Sequence, residues 1–216
     1  MNIEPMTTTG QIRAVNPSTD LNAIADLIEL CFKETIDEDG LDYIRYLRRL
    51  ARDTSSIYWG NSSTQHNLSP IQGFVYEIDE KIVGNLSLIP FHKKGEFIYL
   101  IANVAVHPAF RRRRIAFELT ARALKHGREK SAKSIWLQVR DDNPPAIALY
   151  EQMGFFERYR RSTFTIKSRK RIIDNLDNNI KVKKRKDEDF KIHKQWLDEI
   201  YPEDIRWNVG LKENRF

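Results

Sequence analysis

Cysteine is nearly missing from this 216-residue chain: Cys31 stands alone. That excludes an internal disulfide and argues for a reducing compartment, with Cys31 expected to serve as a small buried hydrophobe. Long apolar runs are missing too. The longest, FIYLIANVAV from Phe97 to Val106, is too short to span a bilayer and is interrupted by Asn103. The first ten residues, MNIEPMTTTG, hold neither a basic n-region nor an apolar h-region. No secretory signal and no membrane association are therefore expected, and the cytoplasm is the expected location. What is present is ordinary for a globular protein: 41% hydrophobic, 11% aromatic and 31% charged residues. The length is enough for one good core and part of a second.

The formal charge is +6 and the isoelectric point about 9.3, a balance that raises nucleic acid or an acidic substrate as partners. Its distribution narrows this. Residues 167–186, KSRKRIIDNLDNNIKVKKRK, hold nine Lys or Arg and two Asp, a net of +7, so the remaining residues sum to −1 of the chain's +6. The main body is not basic.

Hydrophobic spacing organises the rest. IRAVNPSTD reads as a first strand. DLNAIADLIELCF puts Leu21, Ile24, Ala25, Ile28 and Cys31 on one helical face, with Asp20 placed as N-cap. GLDYIRYLRRLARD is a second amphipathic helix, and WGNSSTQHNLSP, residues 59–70, an exposed loop. GFVYEID and KIVGNLSLIPF, separated at Asp79 and Glu80, form an antiparallel hairpin. EFIYLIANVAV is a strand apolar enough to need cover on both faces. Ile115, Leu119 and Ala123 mark a helix ending near Ser131, SIWLQVR a buried strand, and NPPAIALYEQMG a short helix with Asn143 as N-cap and Gly154 as terminator. FFERYRRSTFTI closes as a strand or hairpin. The order predicts an α/β (α+β) fold: a mixed, mostly antiparallel sheet flanked by helices.

One stretch is electrostatically odd. VAVHPAFRRRRIAFELT, residues 104–120, runs from an apolar strand through four arginines into a helix. The amino end of a helix already carries partial positive charge, so each added cation costs about 0.3–1 kcal/mol unless an anion sits nearby. A strand feeding directly into a helix amino end also offers a run of backbone N–H groups, a geometry that binds phosphate, most often a diphosphate. An arginine cluster that merely solvates a turn is the alternative.

Two segments decide between these. VAVHPAFRRRRIA, with Val106, Pro108, Arg111, Ile115 and Ala116 in place, and LQVRDDNPPAIALYEQMGF, with Leu137, Val139, Asn143, Ala146, Leu149, Tyr150, Gly154 and Phe155, resemble the two signature segments of the GNAT superfamily of acyl-CoA-dependent N-acyltransferases. Order and spacing match as well, over about residues 10–167. The resemblance implies an enzyme using acetyl-CoA (coenzyme A). The amides of Arg111, Arg112, Arg113, Arg114, Ile115 and Ala116 would cradle the pyrophosphate, and the strand bearing Val104 and Val106 would pair with the pantetheine. Asn143 would reach the pantetheine arm, a role compatible with its capping, and the arginines become charge-assisted partners of the cofactor's phosphates. One departure stands out: Arg112 and Arg114 occupy positions where the family has glycine. Helical angles, with side chains pointing outward, are the expectation there; a positive φ would strain arginine and weaken binding.

Acyl transfer from a thioester to an amine needs a neutral amine, a site for developing oxyanion charge and a proton for the departing thiolate. The resemblance assigns the proton to Tyr150; a backbone N–H near Val106 would serve the oxyanion. No general base is evident. Relatives carry Glu where this chain has Gln138, or near Leu100, and neither can take a proton. Glu77, Glu96, His107 and Asp141 read as solvated surface groups. At pH 7 a lysine amine is neutral in only about one molecule in 2,000, an α-amine in about one in ten. An enzyme lacking a strong base is therefore expected to take a weakly basic amine, such as a protein amino terminus or an amino-acid derivative. No metal site is expected.

Three regions follow: an acyltransferase domain at 1–167, a basic linker at 168–186, and an extension at 187–216. IKVKKRKDEDFKIHKQWLDEIY, from Ile180 to Tyr201, echoes IRAVNPSTDLNAIADLIELCF, which suggests the opening of a degenerate second copy whose strand begins near 180. That tail would pack against the first domain or a second subunit of a homodimer. Two other readings remain at this level: a non-catalytic acyl-CoA sensor, and nucleic-acid or ribosome binding through 167–186. The tract lacks the interleaved aromatics of a base-stacking surface, which makes nucleic acid the weaker partner.

Overall fold

The computed structural model describes residues 10–52, 71–93, 96–162, 183 and 186–202. The chain divides into two compact units, Met1–Phe156 and Glu157–Phe216.

In the first unit, β1 (Gln11–Ala14), β2 (Gln72–Ile78), β3 (Lys81–Lys93), β4 (Glu96–Val106) and β5 (Ser134–Leu137) form one sheet in the order β1-β2-β3-β4-β5. The first three pairings are antiparallel and the last, β4 with β5, is parallel. This is the mixed, mostly antiparallel sheet that the sequence predicts. The β2–β3 hairpin turns at Asp79 (φ 48°) and Glu80 (φ 61°), the two left-handed residues of a tight turn whose twist matches its strands.

Two helices, α1 (Leu21–Phe32) and α2 (Glu38–Arg52), cover one face. Leu21, Ile24, Ala25 and Ile28 are buried with Ile44, Leu47 and Val75, as the 3.6-residue spacing requires. Asp20 does something other than cap. It makes no side-chain cap bond; its carboxylate, almost fully buried, binds Arg13 at 2.6 Å and accepts from the Asn16 amide at 2.7 Å. Arg13 in turn reaches Glu77 at 2.7 Å. A charge buried this deeply is held by a paired cation in preference to the free amides of a helix end.

The helix α3 (Ile115–Glu129) covers the opposite face, burying Ile115, Leu119 and Ala123 against Phe74, Leu86, Leu88, Tyr99 and Ile101. It lies close because β3 carries Gly84 beneath it: a Cβ there would sit 2.8 Å from Ile115 Cγ2 and 3.1 Å from Leu119 Cδ1. The last helix of this unit, α4 (Pro144–Gln152), ends at Gly154, φ 87°, a glycine terminator as expected.

Two strand expectations change. SIWLQVR contains only the four-residue β5, half-buried, because it is the edge of the sheet among the described residues; Val139 beyond it is 39% exposed. Residues 155–162 form no strand. Their sequence, FFERYRRS, has too many charges to pack both faces.

In the second unit, α5 (Phe190–Ile200) follows a single 3-10 turn at Asp187–Asp189, with Ile192, Trp196 and Ile200 exposed along one stripe. The helix expected in the tail is present. The expected loop at 59–70, the strand near 180 and nearly all of the basic 167–186 tract lie outside the described residues. No helix among the described residues is long and apolar enough to cross a membrane.

Candidate active site

Parallel pairing places the two sequence motifs together. Because β4 and β5 run the same way, their carboxyl ends lie at one end of the sheet, and the segments leading into α3 and α4 both start there. The ladder between the two strands covers only Ile98–Ile101 against Ser134–Leu137. Beyond Ile101, β4 continues for five residues without β5, which leaves its outer edge open where the motifs converge.

A bulge marks the same point. Asn85 pairs with Ala105 and Ser87 with Ala102, so Leu86 alone opposes Asn103 and Val104; Asn103 is left-handed, φ 51°. Such an insertion bends a strand and re-aims its peptide groups. Val104 and Val106 pack, partly buried, on the α3-side core.

The strand hands over to α3 through a 3-10 turn, Pro108–Phe110, started by His107, whose ring accepts from the Ala109 amide. Arg111 is extended (φ −63°, ψ 159°). Arg112 and Arg114 then have φ values of 66° and 62°. The expectation of helical angles is wrong at both. The chain has only the four arginines in which to turn from an extended residue into a helix, and alternating left-handed residues accomplish this by curling successive N–H groups into one concavity. Among the described residues, no backbone carbonyl accepts from the amides of residues 112–117; the first helical bond runs from Glu118 N to Arg114 O at 3.0 Å. The result is a run of free donors at the amino end of a 15-residue helix, rimmed by four exposed arginines.

Those side chains are partly organised. Arg113 lies over Phe110, 5.1 Å from the ring centroid, and Arg114 over Phe117 at 4.9 Å. Arg111 Nε donates to the Val106 carbonyl at 3.3 Å, which also receives the Cys31 thiol at 3.3 Å. Cys31 is half-buried at the end of α1 and not the simple core hydrophobe expected; burial pushes its thiol up in pKa, with Arg111 opposing. Amides and guanidinium groups that no carboxylate pairs with among the described residues fit a diphosphate and would reject a cation.

On α4, Asn143 caps as expected, its side chain accepting from the Ala146 amide at 3.3 Å. Tyr150 is buried, 8% exposed, with its ring edge-on to Phe155 at 5.9 Å. Burial pushes its hydroxyl up to about 12.

The other carboxylates considered do not converge here. Glu77 is tied to Arg13 and is more buried than a solvated group, Glu96 pairs with Lys133, and Asp141 is exposed. Among the described residues, no group of three His, Cys, Asp or Glu side chains could hold a metal ion. Sequence reasoning missed a buried polar group under the bulge, Asn85, Ser87 and Asn103 with Tyr43 of α2. Polar residues breaking an alternating apolar strand were its only signal.

Comparison with known proteins assigns this fold and its two converging motifs to a family. The family model for acetyltransferases of the GNAT family matches residues 22–155. The chain belongs to that family. It is 40% identical over 55 residues to the ribosomal protein bS18-alanine N-acetyltransferase of Salmonella typhimurium, covering 26% of this chain and 37% of that protein. It is 34% identical over 97 residues to an N-alpha-acetyltransferase of Sulfurisphaera tokodaii, covering 39% of this chain and 56% of that one. The chain thus spans about a third to a half of the length of these curated relatives. Among solved structures, an aminoglycoside N-acetyltransferase in complex with CoA superposes with a TM-score of 0.53 at 18% identity, over 77% of this chain and all of the other, a likeness of fold.

Proposed function

We propose that this chain is an acetyl-CoA-dependent N-acetyltransferase acting on α-amines, such as a protein amino terminus or an amino-acid derivative. The observation that carries the reading is the concave run of free amides at residues 112–117, between the open edge of β4 and the amino end of α3. The names of the two curated relatives, an alanine N-acetyltransferase and an N-alpha-acetyltransferase, support the choice of acceptor. The single cysteine supports a cytoplasmic setting.

In this reading the free amides of residues 112–117, with the arginine side chains, hold the diphosphate, the Arg111 amide being taken by the Pro108 carbonyl at 3.3 Å, and the free edge at Val104 and Val106 receives the pantetheine amides, with Asn143 beside it. Bound acetyl-CoA supplies the thioester. The amine nitrogen forms its bond to the carbonyl carbon as the C–S bond breaks, and the amine's proton leaves to solvent. A β4 amide at the bulge faces the oxygen on which negative charge develops.

Tyr150 serves the leaving sulfur. With the phenol near 12 and a thiol near 8.5, complete proton transfer to the thiolate would run uphill by about 5 kcal/mol. Tyr150 therefore acts chiefly as a hydrogen-bond donor that stays protonated at every working pH.

A thiol-release assay with acetyl-CoA against peptides, amino acids and lysine-type amines tests the proposal. Turnover of α-amines, with kcat/KM rising through about pH 8 as they lose their protons, is the expected result. A steady climb past about pH 9 on lysine-type amines, with α-amines not turned over, overturns the acceptor. Indifference to CoA thioesters at millimolar concentration overturns the enzyme.

A further inference from the structure

Asn85 is 1% exposed in a strand otherwise built for apolar packing, between Gly84 and Leu86, and its Oδ1 has no hydrogen-bond partner among the described residues. A buried acceptor left unpaired is a liability that folding alone does not explain. Its other end is engaged: Nδ2 donates to the carbonyl of Asn103 at 2.9 Å. Asn103 is the left-handed residue of the β4 bulge, and its own Nδ2 donates to Ser87 Oγ at 3.4 Å. Ser87 lies two residues along β3 and so on the same face as Asn85, and Ser87 and Asn103 lie near enough to the Tyr43 hydroxyl of α2 to oppose the rise that burial gives its pKa. Thus β3 grips the bulge through side chains at the one place where Leu86 leaves two residues of β4 facing one.

We propose that Asn85 is a positioning residue for acyl transfer: by holding the Asn103 carbonyl on the β3 side it keeps β4 bulged away from β5 and aims the following amide at the thioester oxygen. The role rests on the acetyltransferase reading above. Without the clamp, Asn103 loses the bond that fixes its carbonyl, and although asparagine tolerates left-handed angles better than other residues with a side chain, the extended region is then open to it and the strand straightens toward a regular ladder. The pyrophosphate loop starts several residues later and keeps its amides whatever the bulge does, so cofactor affinity, which the clamp touches only through the pantetheine contacts at Val104 and Val106, should change far less than kcat.

Asn85→Leu tests this. Leucine has nearly the same shape, and it removes the orphaned Oδ1 together with the grip. The expected result is a kcat lower by about 10- to 100-fold, the scale of a misaimed reacting group, with the CoA dissociation constant from calorimetry within about twofold of wild type and the melting temperature not lowered. Asn103→Gly, which keeps the carbonyl and accepts left-handed angles, should lose less activity than Asn103→Val. If Asn85→Leu does not fold, Ser87→Ala carries the test: a several-fold loss of kcat at unchanged CoA affinity supports the clamp, and an unchanged kcat overturns it. A kcat within about twofold of wild type in Asn85→Leu, or a loss that only tracks falling CoA affinity and melting temperature, also overturns it. A wild-type chain that releases no thiol with any amine sinks the acetyltransferase reading itself, whereas normal wild-type turnover with a normal Asn85→Leu sinks the clamp alone.

Discussion

Arg112→Gly separates what the arginine loop costs the empty protein from what it gives the loaded one. Arginine at φ 66° carries about 1–2 kcal/mol of steric cost. Glycine removes that cost and gives back about 0.5–1 kcal/mol through the greater freedom of its unfolded chain. Deleting a cation from a helix amino end adds about 0.3–1 kcal/mol in glycine's favour. The net gain is about 1 kcal/mol, a rise of about 2–4 °C in Tm for a chain of this size. Arg112→Ala is the control, because alanine keeps the left-handed cost and loses only the cation. Arg114→Gly should come out near neutral, since it also forfeits the stacking over Phe117 at 4.9 Å, worth about 0.5–1 kcal/mol. Thermal unfolding is followed with and without acetyl-CoA. Arg112→Gly should melt higher than both wild type and Arg112→Ala when empty, and should gain less than wild type on adding acetyl-CoA, because a charge-assisted contact is gone. If Arg112→Gly is no more stable than Arg112→Ala, the left-handed strain is not real and the loop argument fails.

Other perturbations reach other parts of the structure. Tyr150→Phe should lower kcat by about 10- to 100-fold, the worth of one hydrogen bond to a charged group, about 1.5–3 kcal/mol, while leaving CoA affinity intact in calorimetry. Because burial raises Tyr150 to about 12, the stability it contributes is complete below about pH 10 and is lost as pH rises from about 10 to about 12; alkaline unfolding curves of wild type and Tyr150→Phe should diverge in that window. Asp20 is pulled the other way: burial raises it, but its bonds to Arg13, the Asn16 amide and Thr19 together lower it below its ordinary value. Its contribution is present above about pH 4 and lost on acidification below that, and Asp20→Asn should cost about 2–3 kcal/mol in urea unfolding, at or below the low end for a broken buried pair because Arg13 is one-third exposed. Gly84→Ala forces a methyl to 2.8 Å from Ile115 and should destabilise by about 1–3 kcal/mol, with weaker CoA binding because Ile115 opens α3.

Local rules predict the elements whose stability is local. Asp79–Glu80 between two alternating runs makes a hairpin, and Leu21, Ile24, Ala25 and Ile28 make a buried helical face, since turn chemistry and periodicity need no knowledge of distant residues. The capping of α4 by Asn143 and its end at Gly154 follow for the same reason. Where tertiary context decides, the letters mislead. Asp20 looks like a cap until Arg13 of β1, itself paired with the distant Glu77 of β2, claims it. SIWLQVR looks buried because hydrophobicity does not reveal that a strand lies at an edge. The angles of Arg112 and Arg114 are set by the path between strand and helix, which overrides residue preference. Asn85 is invisible as a site because its meaning depends on pairing with Asn103 across the sheet.

One carbonyl ties two distant parts of this chain together. The oxygen of Val106 receives both the thiol of Cys31, at the far end of the first helix, and the guanidinium of Arg111, at the mouth of the arginine loop. An arginine that swings toward an incoming anion lets go of that oxygen, and the sulfur is left holding it alone. The lone cysteine is therefore a built-in witness to occupancy: its rate of alkylation by a small thiol reagent should change when the loop fills, with no label having to be engineered.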